Sequence, residues 1–154
     1  MILIAHRGNI QGANASLENR PDYIQAAIDA GYQVEIDVRE VAGQLILGHD
    51  QPDYPVAIDW LRARADQLWI HCKNISAAEY FSSRDLHWFW HESDTLTVTS
   101  RGVIWAYPGK QPIMNSIAVM PEWHAETELA QCRGICSDLV GNYKYLLKAD
   151  ENLQ

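Results

Sequence analysis

Short apolar runs, several of them ending in polar or charged residues, constrain the fold of this sequence more than any other feature. The runs have the length of β-strands and lie at residues 2–5, 33–38, 44–48, 67–72, 86–90, 96–99, 102–106, 116–120 and 134–137. Patterns with helical spacing lie between them, at 21–30, 56–66, 75–83, 124–132 and 142–149. Strands that alternate with helices predict an α/β fold with a parallel sheet or a barrel.

Histidine and charged side chains follow many of these predicted strands. In parallel sheets and α/β barrels, the carboxyl ends of the strands meet at one edge, where active sites are built. We therefore expect a single mouth ringed by His6, Glu35, Asp37, His71, Lys73, His91, Glu92, Tyr107, Glu122 and Asp138.

Glu35 and Asp37 are the best candidates for metal ligands. They are two residues apart in a predicted strand, so their side chains point to the same face. Two carboxylates on one face repel each other unless a cation or a proton lies between them, and hard divalent cations prefer carboxylate oxygens. The alternative is an exposed pair of carboxylates that forms ion pairs with Arg39.

Four motifs occur in order within residues 2–50, namely His6-Arg7-Gly8, Glu18-Asn19, Glu35-Ile36-Asp37-Val38-Arg39 and Leu47-Gly48-His49-Asp50. Together they resemble the N-terminal signature of the glycerophosphodiester phosphodiesterases, which belong to the phosphatidylinositol phospholipase C-like phosphodiesterase superfamily. Weaker likeness extends to residues 67–73 and 134–138.

The resemblance implies a fold and a set of site residues. The expected fold is a single domain over residues 1–154, a compact TIM-barrel-like (β/α) barrel. A full barrel takes about 250 residues, so we expect reduced helices and short connections in the second half. The resemblance assigns acid–base chemistry to His6 and His49, and phosphate binding to Arg7 and Lys73.

The third metal ligand of the family is usually a carboxylate two residues before a lysine. Here His71 stands at that position, before Lys73. One divalent ion is expected, Mg²⁺ or Ca²⁺ from the carboxylates, with Zn²⁺ or Mn²⁺ as alternatives because imidazole suits softer metals. His91, Glu92 or Asp94 are alternative sources of the third ligand.

The resulting functional hypothesis is a metal-dependent phosphodiesterase that cleaves a small phosphodiester, such as a glycerophosphodiester or a sugar or lipid headgroup phosphodiester. One histidine would remove a proton from the attacking hydroxyl and the other would protonate the leaving alkoxide. Two alternatives are a non-catalytic phosphate- or headgroup-binding domain and a phosphodiester lyase that stops at a cyclic phosphate.

The composition limits the partners. With 12 Lys and Arg against 20 Asp and Glu, the net charge is −8, which argues against nucleic acid as a partner. We find neither an apolar run of the ~18 residues of a membrane span nor a signal-peptide pattern. Together with three cysteines, expected to be buried and reduced, this predicts a cytoplasmic protein.

Aromatic residues crowd the second half of the chain, among them Trp88, Trp90, Trp105, Tyr107 and Trp123. Most are expected to pack in the core. The segment 105–110 has a second interpretation, because at the end of a strand it would line a pocket and stack on a sugar or lipid headgroup.

Overall fold

The computed structural model describes residues 1–111 and 113–147 as a mixed α/β fold built on one curled sheet. The strands within these residues are β1 (Ile2–His6), β2 (Gln33–Val41), β3 (Gln44–Leu47), β4 (Tyr54–Val56), β5 (Leu68–Cys72), β6 (Trp88–Trp90), β7 (Leu96–Val98), β8 (Ile104–Ala106), β9 (Ser116–Val119) and β10 (Gly134–Ser137). The predicted apolar runs account for all of them except the short β4.

Helices are few. They are α1 (Pro21–Asp29), α2 (Ile58–Arg62), α3 (Ile75–Ser82) and three 3₁₀ helices at Pro121–His124, Leu129–Gln131 and Val140–Tyr143. Pro21 occupies the first turn of α1, where its missing N–H costs nothing. The side chain of Asn74 caps α3 by accepting a hydrogen bond from the backbone N–H of Ala77.

The helices predicted at 21–30 and 75–83 are confirmed, whereas the one predicted at 56–66 is reduced to α2. The helix predicted at 124–132 is wrong, because Ala125 and Glu128 adopt left-handed backbone angles that separate two 3₁₀ helices. The segment predicted at 142–149 begins in a 3₁₀ helix, and its last two residues lie outside the described residues.

Eight strands follow one another across the sheet in the order β6-β5-β2-β1-β10-β9-β8-β7. Neighbouring strands are parallel except in the β7–β8 pair, and β3 and β4 add an antiparallel extension beside residues 38–41 of β2. The first and last strands lie side by side, with Ile2 paired to Gly134. The mixed α/β class is confirmed, but the described residues do not show a complete barrel of eight β/α units.

The two ends of the curled sheet approach each other at a seam formed by residues 87–88 and 99–100. The Ser100 N–H donates to the Trp88 carbonyl over 2.8 Å, and His87 Nε2 lies 2.7 Å from Thr99 Oγ1. Both His87 and Thr99 are buried. The seam therefore joins strands that are distant in the sheet order.

Side chains alternate between two packed faces of the sheet, as the strand period requires. One face packs on the helices, for example through Ile36 of β2 and Phe81 of α3. The opposite face, here called the inner face, carries a second apolar cluster of Ile4, Trp69, Phe89, Val103, Trp105, Ile117 and Cys136. Polar side chains continue the inner face toward the carboxyl ends of the strands.

The three cysteines are buried free thiols, and burial raises the pKa of the Cys72 thiol to about 12. Across residues 1–111 and 113–147, we find no helix with the length and apolar character that crossing a membrane requires.

Candidate metal centre

Glu35 and Asp37 lie on the inner face of β2, and both are almost completely buried. The neighbouring strand β5 is parallel to β2 and places His71 in register with Asp37. Glu35, Asp37 and His71 each offer a ligand atom, and these atoms lie within 4.8 Å of one another. Two carboxylates and an imidazole at this spacing can hold a metal ion.

The His71 ring is oriented by both of its nitrogens. Nε2 lies 3.0 Å from the carbonyl oxygen of His91, so Nε2 carries the proton and donates it to that carbonyl. Nδ1 lies 3.2 Å from Asp37 Oδ1 and 3.7 Å from Glu35 Oε1. In the neutral ring, the Nδ1 lone pair therefore faces the carboxylates, as in histidines whose outer nitrogen is fixed by a carbonyl when they bind metal.

The surroundings of the buried Asp37 Oδ1 atom indicate whether Glu35, Asp37 and His71 suit a cation. It has no hydrogen bond within the described residues, although His71 Nδ1 and Lys73 Nζ (3.6 Å) lie nearby. Burial favours a lower pKa for His71, but its contacts with Asp37 and Glu35 outweigh burial and raise the pKa to about 9. The carboxylates thus favour a positive charge between them and His71, which a proton on Nδ1 or a divalent cation would supply.

Two cationic side chains also lie against Asp37. Arg7 Nε is 3.1 Å from Asp37 Oδ2, and Arg7 Nη1 donates to Glu18 over 3.0 Å. Burial alone would raise the pKa of Asp37, but His71, Arg7 and Lys73 hold it well below its usual range. Arg7 therefore orders the carboxylates, while its predicted contact with phosphate stays a prediction.

His6 is held from the other end of the chain. Its Nδ1 lies 2.8 Å from Asp138 Oδ1, which also accepts a hydrogen bond from Asn9 Nδ2 over 2.8 Å. Its Nε2 lies 3.8 Å from Glu35 Oε2. Burial would raise the pKa of Asp138, but the contacts with His6 and Asn9 lower it. The result is an aspartate–histidine pair whose second imidazole nitrogen faces the metal group.

His49 lies in the turn after β3 and is more exposed than His6. Its Nδ1 lies 2.6 Å from Asp50 Oδ1, and the Arg39 guanidinium donates to the carbonyls of Gly48 and His49. Arg39 thus holds this turn instead of pairing with Glu35 and Asp37. At Gly48 the backbone has φ +143°, and an added Cβ would lie 2.0 Å from the carbonyl oxygen of Gln51. The turn that carries His49 therefore requires glycine.

A cavity of about 330 Å³ opens at this end of the sheet. It brings together six of the seven predicted site residues, His6, Arg7, Glu35, His49, His71 and Lys73, while Asp37 lies buried beneath it. Aromatic residues complete the lining, including His91, Tyr107 and Trp123. The expected mouth is thus formed without Glu122 and Asp138, which contact other side chains.

Sequence reasoning missed Asn9, and it placed Asn19 in a motif and Asp138 at the mouth without assigning a partner to either. Asn9 bridges Glu18 and Asp138, and Asn19 donates from Nδ2 to Asp37 Oδ2 over 2.9 Å and accepts from the Asp37 N–H. Asp138 follows β10, the parallel neighbour of β1. The position of Asp138 at a strand end was the available signal, but only the strand order could pair it with His6.

The comparisons with known proteins gave no match, whether with family models, with curated proteins or with solved structures.

Proposed function

We propose that this chain is a metal-dependent phosphodiesterase acting on small phosphodiesters, related to the glycerophosphodiester phosphodiesterases by a shortened TIM-barrel-like scaffold. The motifs of residues 2–50 suggest the family. The observation that carries the proposal is the convergence of Glu35, Asp37 and His71 beside a cavity that His6 and His49 also line.

Glu35, Asp37 and His71 are the residues that would hold the ion. When bound, a divalent cation supplies Lewis acidity that stabilises developing negative charge on phosphate oxygens. Both carboxylates are buried and held, Asp37 by Asn19 and Arg7, so little reorganisation is needed on loading. We expect Mg²⁺ or Ca²⁺ from the carboxylates, with Mn²⁺ or Zn²⁺ favoured to the extent that His71 coordinates.

The two histidines are suited to move protons on either side of the reaction. Asp138 holds Nδ1 of His6 and leaves Nε2 toward the cavity, while Asp50 holds Nδ1 of His49. An imidazole with one nitrogen fixed by a carboxylate presents the other in a defined tautomer. One ring would take the proton of the attacking hydroxyl, and the other would return a proton to the leaving alkoxide.

Local charge suits a small anion despite the net charge of −8. Lys73 lines the cavity as a point charge for a phosphate oxygen, and Arg7 lines it with a guanidinium already anchored on Glu18 and Asp37. The chain has too few Lys and Arg residues for the extended basic face of a nucleic-acid binder. A compact phosphodiester fits this cavity better than a polymer.

The test is an assay of chelator-treated and metal-restored protein on a simple aryl phosphodiester, on glycerophosphodiesters and on single-stranded DNA. We expect metal-dependent cleavage of the small diesters and none of DNA. His6→Ala and His49→Ala should each lower turnover by about 10²–10⁴-fold, whereas His124→Ala, at an exposed histidine, should not.

Three other outcomes would redirect the assignment. Phosphate binding without cleavage of any diester would favour the binding-domain alternative. Accumulation of a cyclic phosphate as the final product would favour a lyase. Cleavage of DNA but not of small diesters would show that the substrate class is wrong.

A further inference from the structure

His91 has a largely buried side chain, and its ring forms no hydrogen bond with the described residues. Its side chain is 9% exposed and lines the cavity. Its Nδ1 atom is buried and has no hydrogen-bond partner within the described residues, and Asp94 Oδ2 lies 3.7 Å from it. Leaving a buried polar group without a partner is costly, so a native structure keeps such a group where something else satisfies it.

Two exposed aromatic residues lie in the same cavity lining. Tyr107 is 38% exposed and Trp123 is 64% exposed. The Tyr107 ring lies 4.7 Å from the His91 ring, measured between centroids, at an interplanar angle of 57°. Large aromatic faces left open in a concave site are typical of ligand-binding pockets.

Trp123 is exposed but its backbone is firmly placed. The 3₁₀ helix that carries it is flanked by left-handed backbone angles at Met120 (φ 45°) and Ala125 (φ 49°). Glu122 anchors the same helix, accepting from Ser137 Oγ over 2.6 Å and from the Tyr143 hydroxyl over 3.1 Å. Backbone conformations of this kind cost energy and tend to persist where they position a functional group.

We propose that His91, Tyr107 and Trp123 form a subsite for a hydroxylated ring, a hexose or a cyclitol, carried as the alcohol part of the phosphodiester. This inference rests on the proposed function, in which phosphate lies beside Lys73 and the metal group. It specifies the substrate as a sugar- or cyclitol-phosphodiester instead of a simple glycerophosphodiester.

The chemistry of the three side chains selects this ligand over two others. The aromatic faces of Tyr107 and Trp123 suit the C–H face of a ring, while a neutral imidazole offers one donor and one acceptor to hydroxyl groups. A quaternary ammonium group has no hydrogen-bonding atoms and would leave His91 unsatisfied. An acyl chain would do the same and would bury the carboxylate of Glu92, which also lines the cavity.

The test is titration calorimetry of the metal-restored protein with inorganic phosphate, glycerol 3-phosphate, phosphocholine, glucose 1-phosphate and inositol 1-phosphate. We expect one or both ring phosphates to bind at least about tenfold more tightly than the other three. Trp123→Ala and His91→Phe should each remove most of that gain and leave the affinity for inorganic phosphate within about twofold. Tyr145→Ala removes another exposed aromatic ring, outside the cavity lining, and should change nothing.

The remaining outcomes separate the subsite from the proposed function. Equal affinity for all five probes, with small diesters still cleaved, would overturn the subsite and keep the phosphodiesterase. Tightest binding of phosphocholine would replace the hydroxylated ring by a cationic group. No binding of any probe and no cleavage of any diester would overturn both proposals.

Discussion

Two imidazoles that line the cavity are each held by a second polar group behind them. His71 is fixed by the carbonyl of His91, and His6 is fixed by Asp138. Such partners hold a ring in one tautomer and one orientation, which is why their loss usually costs function more than stability. Two substitutions test this arrangement.

His71→Glu should change which metal the protein prefers. A third carboxylate makes the donor set harder, so the affinity for Mg²⁺ relative to Zn²⁺ should rise by about tenfold or more. Titration calorimetry with each ion measures the ratio independently of activity. His124→Glu introduces the same charge at an exposed site and serves as the control. An unchanged ratio in His71→Glu would remove His71 from the ligand set.

Asp138→Asn should lower turnover by about 10²-fold or more while the protein stays folded, because the amide can donate to His6 Nδ1 and select the wrong tautomer. Histidine ¹⁵N shifts should report the change of tautomer at His6, which a purely structural role would not produce. Asp59→Asn, in an exposed ion pair with Arg62 on α2, is the matched control. Full activity with an altered His6 spectrum would show that the pair is not used in catalysis.

The sequence predicted the side chains that form the site better than it predicted the residues that hold them in place. The period of two in a strand was enough to place Glu35 and Asp37 on one face, where the structure brings His71 beside them. The partners of His6 could not be predicted, because Asp138 is 132 positions away and only the pairing of β1 with β10 brings the two together.

The conformations of the turns determine where the strands and helices place the site residues. Antiparallel returns follow β2 and β7, and each contains a glycine with positive φ, Gly43 or Gly102. The prediction of a helix over 124–132 was wrong because no sequence pattern predicts left-handed backbone angles at Ala125 and Glu128. Glycine marks such positions in a sequence, whereas alanine and glutamate do not.

Gly48→Ala should displace His49 and lower turnover. The added Cβ would collide with the Gln51 carbonyl, and the strained turn should cost about 1–3 kcal/mol of unfolding free energy. Gly43→Ala is a matched control, because φ is +85° there but nothing lies within 4 Å. It should cost about 1 kcal/mol and leave turnover unchanged. Denaturant unfolding and steady-state kinetics give both quantities, and equal losses of turnover would refute the role of this turn.

At the scale of the whole molecule, the seam between the ends of the sheet is sensitive to acid. His87 lies there, 6% exposed and with its ring 4.0 Å from that of Trp69. Burial, helped by Arg101 and Arg133, lowers the pKa of His87 to about 4. The folded state therefore favours the neutral ring, whereas the unfolded chain binds a proton near pH 6.5.

Stability should accordingly fall as the pH drops from about 6.5 to about 4. The contribution of His87 is fully present above pH 6.5 and lost by pH 4, and it amounts to about 2–3 kcal/mol. His87→Gln keeps a polar group at the position without ionising. Denaturant unfolding at pH 7 and pH 4.5 should show a smaller pH dependence for the variant than for the wild type. Identical pH dependence would exclude His87 as the sensitive group.

The pairing of β1 with β10 also determines when the site can be completed during translation. Glu35, Asp37 and His71 are translated before Asp138, and their strands β2 and β5 pair directly. Asp138 emerges on the order of several seconds later at ordinary elongation rates. A nascent chain halted before that point can bring Glu35 and Asp37 beside His71, but His6 still lacks Asp138, the residue that orients its ring.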